Sequence, residues 1–293
     1  MLLTIRQMQV CYGKQKALDI EKPIVIEKGD RIGVIGSNGA GKTTMVKAML
    51  GLVGYRGSIL TDLKPEQIGV HMQFNEYAAT MSVKHVMEAI LNTRIKDNEK
   101  LKELIAYFEF EDCLSKKFNT LSGGQKQRFT IIMVMIQEAP LTIYDEVTSG
   151  LDFETRQRLM EKLVEWYDGK DNTLLVVSHY YEELEQLANK ILLLDQGKVI
   201  AYGKTGELFH TYCGNSVFIL DRNRRNEELT EEIRKVKAPE HLIACTCRDE
   251  EEEKALAGQL IANHVNFKRS DNDIEIMSIN AKEQFWKERG KEK

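Results

Sequence analysis

The feature that most constrains this chain is a glycine-rich segment that directly follows an apolar stretch. Residues 31–35 read as a buried strand, and they run into the sequence GSNGAGKT between Gly36 and Thr43. This segment matches the phosphate-binding pattern G-x-x-x-x-G-K-S/T, and a helix-forming run follows it. Its three glycines let backbone N–H groups surround an anion, and the helix that begins near Lys42 presents its positive end to the same anion. A strand, a phosphate loop and a helix in this order predict an α/β domain.

The loop also predicts the ligands of a magnesium-bound nucleotide. We expect Lys42 to reach the β- and γ-phosphates and Thr43 to ligate Mg²⁺. The other loop residues expected to contact the nucleotide are Ser37, Asn38, Gly39, Ala40, Gly41 and Thr44. The alternative is a glycine-rich turn without a chemical role, which the lysine, the threonine and the flanking strand disfavour.

A second constraint is an apolar strand at residues 141–146 that ends in two acids, Asp145 and Glu146. Charges at the carboxyl end of a buried parallel strand are costly unless a cation or ligand lies there, and open α/β sheets bind ligands at these ends. Adjacent strand residues point to opposite sides, so we predict different roles for the two acids. Asp145 is expected to ligate the metal, and Glu146 to act as the general base that aligns the attacking water. Taken alone, the pair could also be a helix cap.

Apolar segments rich in Val, Ile and Leu recur at residues 31–35, 141–144, 174–177 and 191–194, with amphipathic helical stretches between them. This alternation predicts a largely parallel central sheet. Between residues 74 and about 137 helical patterning takes over, for example at 100–108 and 125–135, which indicates an inserted helical subdomain. The first domain is expected to cover residues 1–212.

The remaining residues, 213–293, have a different sequence pattern, which predicts a small α+β appendage. Charged runs separate short strand-like pieces at 217–220, 242–246 and 274–279, and a final helix follows. Cys245 and Cys247 lie two positions apart in one of these pieces, so we expect them to share a buried face rather than to form a metal or redox pair.

Composition excludes several functions. The chain has 293 residues and a formal net charge of -4, so nothing in its balance favours nucleic acid or an anionic membrane surface as partner. Its longest apolar stretches are far shorter than the roughly 20 residues of a spanning helix. The amino terminus shows no secretory signal, and five scattered cysteines argue against a disulfide framework. We therefore expect a cytosolic protein.

A third motif, LSGGQ at residues 121–125, lies between the phosphate loop and the strand-end acids. A Ser-Gly-Gly turn at the start of an amphipathic helix offers backbone donors, a hydroxyl and a helix dipole to an anion. Because the motif lacks a lysine, it looks built to contact a phosphate that is already held elsewhere. Read alone, it would be an ordinary helix N-cap.

With these three motifs in order, the chain resembles the nucleotide-binding subunits of ABC transporters over roughly residues 1–212. The resemblance implies a P-loop NTPase (ABC ATPase) core with an inserted helical subdomain. It places Tyr12 against adenine, Gln73 at the junction with the helical subdomain beside the metal and the catalytic centre, and His179 on the γ-phosphate. The segment Ser149–Asp152 is expected to meet a partner subunit. Val147 and Tyr144 depart from the family pattern, which has a proline and an aliphatic residue there, but neither change removes a chemical group.

The resemblance also implies partners. In the family, ATP lies between the P-loop of one subunit and the signature of another, here Ser122, Gly123, Gly124 and Gln125, so a homo- or heterodimer is expected. Dimer closure would drive a separate polytopic permease at the cytoplasmic face of the membrane. Residues 74–86 are the expected contact, with Glu76, Tyr77 and Met81 as candidates.

The appendage looks like that of bacterial exporters of drugs, peptides or ions that pair with ABC-2-type permeases. Two alternatives remain open at this point. One is an importer ATPase with a regulatory tail, and the other is a soluble ABC ATPase switch without a transport function. The transported substrate need not touch this chain and is not readable from it.

Overall fold

The computed structural model describes residues 1–72, 77–78 and 80–290. The strands up to residue 213 are β1 (Leu3–Tyr12), β2 (Gln15–Ile20), β3 (Ile24–Ile26), β4 (Arg31–Ile35), β5 (Arg56–Thr61), β6 (Ile68–His71), β7 (Leu141–Asp145), β8 (Thr173–Val177), β9 (Lys190–Asp195) and β10 (Lys198–Lys204). The helices are α1 (Lys42–Met49), α2 (Val83–Leu91), α3 (Glu99–Tyr107), α4 (Gly123–Met135), α5 (Phe153–Tyr167), α6 (Tyr181–Leu187) and α7 (Thr205–Cys213). Strands and helices alternate, so the α/β fold class is confirmed.

The central sheet has the order β10-β9-β4-β8-β7-β6, counted over the described residues, and β10 alone pairs antiparallel. The four strands predicted from apolar segments are β4, β7, β8 and β9. Their side chains alternate between two hydrophobic cores, one on each face of the sheet. Strands buried on both faces read as continuous apolar runs, which is why the sequence reveals them.

A second, antiparallel sheet was not predicted. In it β1 pairs with β2, β3 and β5. Its inner residues, for example Leu3, Ile5 and Leu18, share one core with α1 and one face of the central sheet. The short strand β6 was also missed. This packing positions the β1–β2 turn beside the start of α1.

The opposite face of the central sheet carries the helical region and α5, α6 and α7. The predicted helices at 100–108 and 125–135 are α3 and α4, and the aromatic rings of Phe108, Phe110 and Phe129 are buried between them. No helix within the described ranges is both long and apolar enough to cross a membrane.

The chain then continues through β11 (Ser216–Asp221), α8 (Arg224–Leu229), β12 (Lys235–Val236), β13 (Leu242–Cys247), α9 (Glu250–Ala262), β14 (Lys268–Ser270) and α10 (Ile274–Glu288). Its strands pair antiparallel in the order β12-β13-β11-β14, so the β-α-β-β-α-β succession forms a split βαβ arrangement. Cys245 and Cys247 lie on the face that packs against α9, as predicted, and both thiols are free.

The expected strand at residues 274–279 is wrong, because these residues form the first turns of α10. The Asp273 carboxylate caps the helix by accepting a hydrogen bond from the Ile276 N–H at 3.0 Å. Apolar residues at 274 and 276 imitate strand alternation, but burial at Ile274, Met277 and Ala281 follows helical spacing. Helix α10 packs these side chains into the same core as α6 and α7.

Candidate functional site

A cavity of about 940 Å³ opens at the carboxyl end of the central sheet. Its walls are Tyr12, Gln15, Lys16, Ala17, Asn38, Gly39, Ala40, Gly41, Lys42, Thr43, Thr44, Glu146, Ser149, His179 and Gln196. The structure therefore brings the phosphate loop, the second strand-end acid and the two residues predicted by family resemblance, Tyr12 and His179, to one place. Such a volume suits a nucleotide-sized ligand.

The phosphate loop has a backbone that requires glycine at two positions. A Cβ at Gly36 would lie 2.4 Å from the carbonyl oxygen of Leu194, and Gly41 has a φ of 101°. Gly41 precedes α1 without any side-chain cap on the helix. The first N–H groups of α1 are therefore left for a ligand, as an anion site at a helix N-terminus needs.

Lys42 is buried and folds back over the loop. Its ammonium donates to the carbonyl oxygens of Gly36 at 2.7 Å and Ser37 at 3.3 Å. Burial lowers the pKa of Lys42, while the charges of Glu146 and Asp145 act to raise it. The loop thus holds a cation against its own carbonyl groups, ready for phosphate oxygens.

Asp145 ends β7 in a fully buried position. Neither of its carboxylate oxygens has a hydrogen-bond partner among the described residues that meets the usual geometry. Burial raises the pKa of Asp145, and the nearby Thr43 hydroxyl and Lys42 ammonium oppose this effect. A buried carboxylate with open oxygens beside a threonine hydroxyl is a ligand set that fits Mg²⁺.

Glu146 adopts a left-handed backbone conformation, with a φ of 55°, that is rare for a residue with a side chain. Its N–H donates to the Val177 carbonyl at 2.9 Å, and His179 Nε2 lies 2.6 Å from its Oε1. The strand ends at Asp145, so it is the turn at Glu146, rather than strand alternation, that sends the two acids in different directions. Strain of this kind is concentrated at functional sites.

Sequence reasoning missed Glu183, a buried acid on α6. Its carboxylate accepts hydrogen bonds from the hydroxyls of Thr148 at 2.7 Å and Ser178 at 2.6 Å. Thr148 follows the predicted catalytic acid Glu146 by two residues and Ser178 precedes His179, so one carboxylate connects both segments. Burial raises the pKa of Glu183, and the two hydroxyls act to lower it. A charge on the buried face of a short helix was the available signal.

The two residues that depart from the family pattern, Tyr144 and Val147, are accommodated in the core. Tyr144 is buried, and its hydroxyl lies 2.7 Å from that of Tyr167 on α5, so the added polar group is satisfied. Val147 is also buried. Neither residue lines the cavity described above.

The signature residues lie elsewhere. Ser122 caps α4, accepting from the Gln125 N–H at 3.3 Å while the Gln125 side chain accepts from the Ser122 N–H at 3.1 Å. Gly124 lines a different cavity of about 420 Å³, together with Arg128 and Thr155. Within the described chain, the signature does not line the cavity of the phosphate loop.

Two of the predicted residues, Gln73 and Glu76, lie outside the described residues. Tyr12 is half exposed, with 50% of its surface accessible at the rim of the cavity, which leaves a ring face for a base. Met81 is exposed, but Tyr77 packs its ring edge-on against Phe118 and Phe129 and is mostly buried.

A strand, a glycine loop with a buried lysine, an uncapped helix and a strand-end carboxylate beside a threonine define a P-loop NTPase. A family model described as ABC transporter matches residues 23–149. Nod factor export ATP-binding protein I of Cupriavidus metallidurans is 29% identical, over 74% of this chain and 75% of that protein. Methionine import ATP-binding protein MetN of Clostridium tetani is 30% identical, over 71% of each chain.

Among solved structures, cbiO1 from Clostridium perfringens, described as part of the ABC transporter complex cbiONQ, superposes with a TM-score of 0.60 and 25% identity. The match covers 71% of this chain and 90% of that one. This chain belongs to the ABC transporter ATP-binding family. It is an ATP-binding subunit and an ATPase.

Proposed function

We propose that this ATPase works as one of two subunits whose ATP-dependent closure drives a separate permease that exports drugs, peptides or ions. The observation that carries the proposal is the separation of the two phosphate-binding motifs within one chain. The P-loop opens into the cavity with Glu146 and His179, whereas the signature at Ser122 lies outside it. A signature from a second subunit would complete the site.

The residues of the cavity divide the chemistry among them. Lys42 and the N–H groups at the start of α1 bind the phosphates, and Tyr12 receives the base. Glu146 accepts the proton of the attacking water, and His179 orients Glu146 through their 2.6 Å contact and faces the γ-phosphate. Thr43 and Asp145, with Gln73, would hold Mg²⁺, which neutralises charge on the phosphates when bound.

Export is supported by the match to a Nod factor export protein, which covers 74% of this chain and 75% of that protein. Import is the second candidate, because methionine import proteins are equally similar and one of them is 30% identical. In the import case, residues 213–293 would act as a regulatory domain. In either case we propose that residues 1–212 are the motor and that the protein works at the cytoplasmic face of the membrane.

The variant Glu146→Gln tests the catalytic assignment. Hydrolysis should fall by about 100-fold or more, because the general base is lost, while ATP binding is retained. Glu154→Gln is the matched control, since Glu154 is exposed on α5 and forms an ion pair with the exposed side chain of Arg158. Normal turnover by Glu146→Gln would remove Glu146 from the base role.

Copurification tests the partner and the direction. Expressed with the hydrophobic chain encoded next to it, the protein should copurify in detergent with a polytopic partner of about six spans. In proteoliposomes, uptake from the ATP side would support export, and transport that depends on an external binding protein would support import. A protein that hydrolyses ATP as a strict monomer, without any membrane partner, would overturn the proposal.

A further inference from the structure

The end of the chain reaches the phosphate loop through a single buried carboxylate. Asp195, the last residue of β9, accepts a hydrogen bond from the Ser37 hydroxyl at 3.2 Å on its Oδ1. Its Oδ2 accepts one from the indole N–H of Trp286 at 2.8 Å. Asp195 and Trp286 are 6% and 7% exposed, so the bond between them is shielded from water, whereas the bond from the exposed Ser37 is partly buried. Burial makes such charge-assisted bonds specific and costly to leave unmade.

The end of β9 and the turn that follows it contact the phosphate loop at two further points. The Gly197 N–H donates to the Ala40 carbonyl at 3.1 Å, and the Leu194 carbonyl oxygen leaves no room for a Cβ at Gly36. Ser37, Gly36 and Ala40 all belong to the phosphate loop. A change in the position of the Asp195 carboxylate would therefore change the conformation of the phosphate loop.

Helix α10 is anchored firmly enough to transmit a constraint. At its start, the Ile274 N–H donates to the Glu185 carboxylate at 3.0 Å, and just beyond its end Arg289 pairs with Glu21 at 3.1 Å. One turn before Trp286, Lys282 lies near enough to Lys42 that its charge adds to the effect of burial in lowering the pKa of Lys42. The part of α10 that carries Lys282 and Trp286 therefore lies near the phosphate loop.

We propose that Trp286 is a positioning residue for ATP hydrolysis, and that it sets the phosphate loop through Asp195 and Ser37. The carboxyl-terminal helix is then part of the nucleotide site rather than an independent attachment. This inference rests on the ATPase activity and not on the direction of transport or on dimer closure.

The test is Trp286→Phe in the full-length chain, because phenylalanine keeps a buried ring but lacks the N–H. The KM for ATP should rise about 3- to 10-fold with kcat little changed, as expected for the loss of one charge-assisted hydrogen bond. Trp166→Phe is the matched control. It replaces the only other tryptophan of the chain, on α5, where its ring contacts Tyr107 and not the phosphate loop.

A double-mutant cycle with Ser37→Ala separates positioning from general stability. If the constraint passes through Asp195, Trp286→Phe should change the KM much less in the Ser37→Ala background than in the wild type. An unchanged KM in Trp286→Phe, an equal effect in both backgrounds, or a fall in kcat alone would overturn the proposal.

A second readout covers the case in which Trp286→Phe does not fold. In Trp166→Phe, Trp286 is the single tryptophan, and its hydrogen bond reports on Asp195. Addition of a non-hydrolysable ATP analogue should change the emission of this tryptophan, and Ser37→Ala should reduce the change at saturating analogue. Emission that does not respond to the bound analogue would contradict the coupling.

Discussion

Two helix N-termini in this chain are the predicted phosphate contacts, and they differ in how they are capped. Helix α1 starts at Gly41 with no side-chain cap, next to a buried lysine. Helix α4 starts at Ser122 with a complete capping box, in which Ser122 and Gln125 satisfy each other. The first helix therefore offers free N–H groups and a cation, whereas in the second the Ser122 hydroxyl and the Gln125 N–H are already bonded to each other.

The difference explains how one family can use two phosphate contacts with separate duties. A site with free donors and a charge binds nucleotide on its own. A site that is already capped, and that carries no cation, gains from binding only when the phosphate is presented by something else. We therefore expect the first site to bind the nucleotide and the second to complete the closed site, and the following predictions are given in order of decreasing effect.

Removing the cation should disable the first site. In Lys42→Ala, affinity for a fluorescent ATP analogue should fall about 100-fold, because a buried charge-assisted contact with phosphate is lost. Lys47→Ala, in the last turn of the same helix, is the control and should bind nearly as the wild type does. Retained affinity in Lys42→Ala would mean that the loop backbone alone provides the binding.

Placing a negative charge in the second site should affect hydrolysis but not binding. In Ser122→Glu we expect ATPase activity to fall about tenfold, since the new charge repels the γ-phosphate. Binding of the analogue to the isolated subunit should remain normal. Ser122→Thr retains a capping hydroxyl and should retain activity. A large loss of affinity in Ser122→Glu would show that the signature contacts nucleotide within the same chain.

Glu183 holds Thr148, three residues before Leu151, whose side chain lies near Gly123 of the signature. In Glu183→Gln one of the two hydroxyl donors loses its acceptor, and the free energy of unfolding should fall by about 1–2 kcal/mol. ATPase activity should decrease a few-fold with affinity unchanged. Urea unfolding and kinetics would measure both, with exposed Glu182→Gln as the control. Unaltered hydrolysis would confine Glu183 to a structural role.

The smallest effect concerns β2, whose first residues line the first site, at the point where this strand meets β10. Burial acts to raise the pKa of Asp19, but hydrogen bonds from Lys198, Lys16 and Gln9 outweigh it and lower the pKa to about 2. Because the pKa of Asp19 in the folded protein lies below its ordinary value of 3.8, this stabilisation is present above about pH 4 and is lost as the pH falls toward 2.

Lys198→Met should therefore destabilise the protein by about 1 kcal/mol at pH 7, with a smaller difference from the wild type at pH 3. Urea unfolding at the two pH values would measure this. Lys28→Met is the control, since Lys28 and Asp171 form a pair that is mostly exposed. If the stability difference between Lys198→Met and the wild type grew on acidification, the predicted pH dependence would have the wrong sign.

Prediction from sequence succeeded where a local pattern has one structural solution. The strands β4, β7, β8 and β9 are buried on both faces, so their apolar runs are unambiguous. It failed where tertiary contacts choose between alternatives. The antiparallel sheet was overlooked because its strands are partly exposed, and the start of α10 was assigned to a strand because Ile274 and Ile276 alternate while the cap at Asp273 was not recognised.

Prediction of the candidate site from sequence is limited in the same way. The P-loop, the signature and the two acids are contiguous motifs whose chemistry depends on residue type and spacing, and they were predicted by residue number. The roles of Tyr12, Gln73 and His179 came from family resemblance and stay predictions. The domain division at residue 212 also stays a prediction. Glu183 and Trp286 act through hydrogen bonds to residues distant in sequence, and no local pattern records such a contact.

Residue types and their spacing predict the chemistry of this protein, because a phosphate cradle, a metal-binding carboxylate and a general base each need particular residues next to one another. The contacts that support these groups are visible only in the folded chain. The left-handed turn at Glu146, the carboxylate of Glu183 between two segments and the path from Trp286 to Ser37 arise when distant parts of the chain pack into one core. Buried polar groups must then find partners wherever the fold places them.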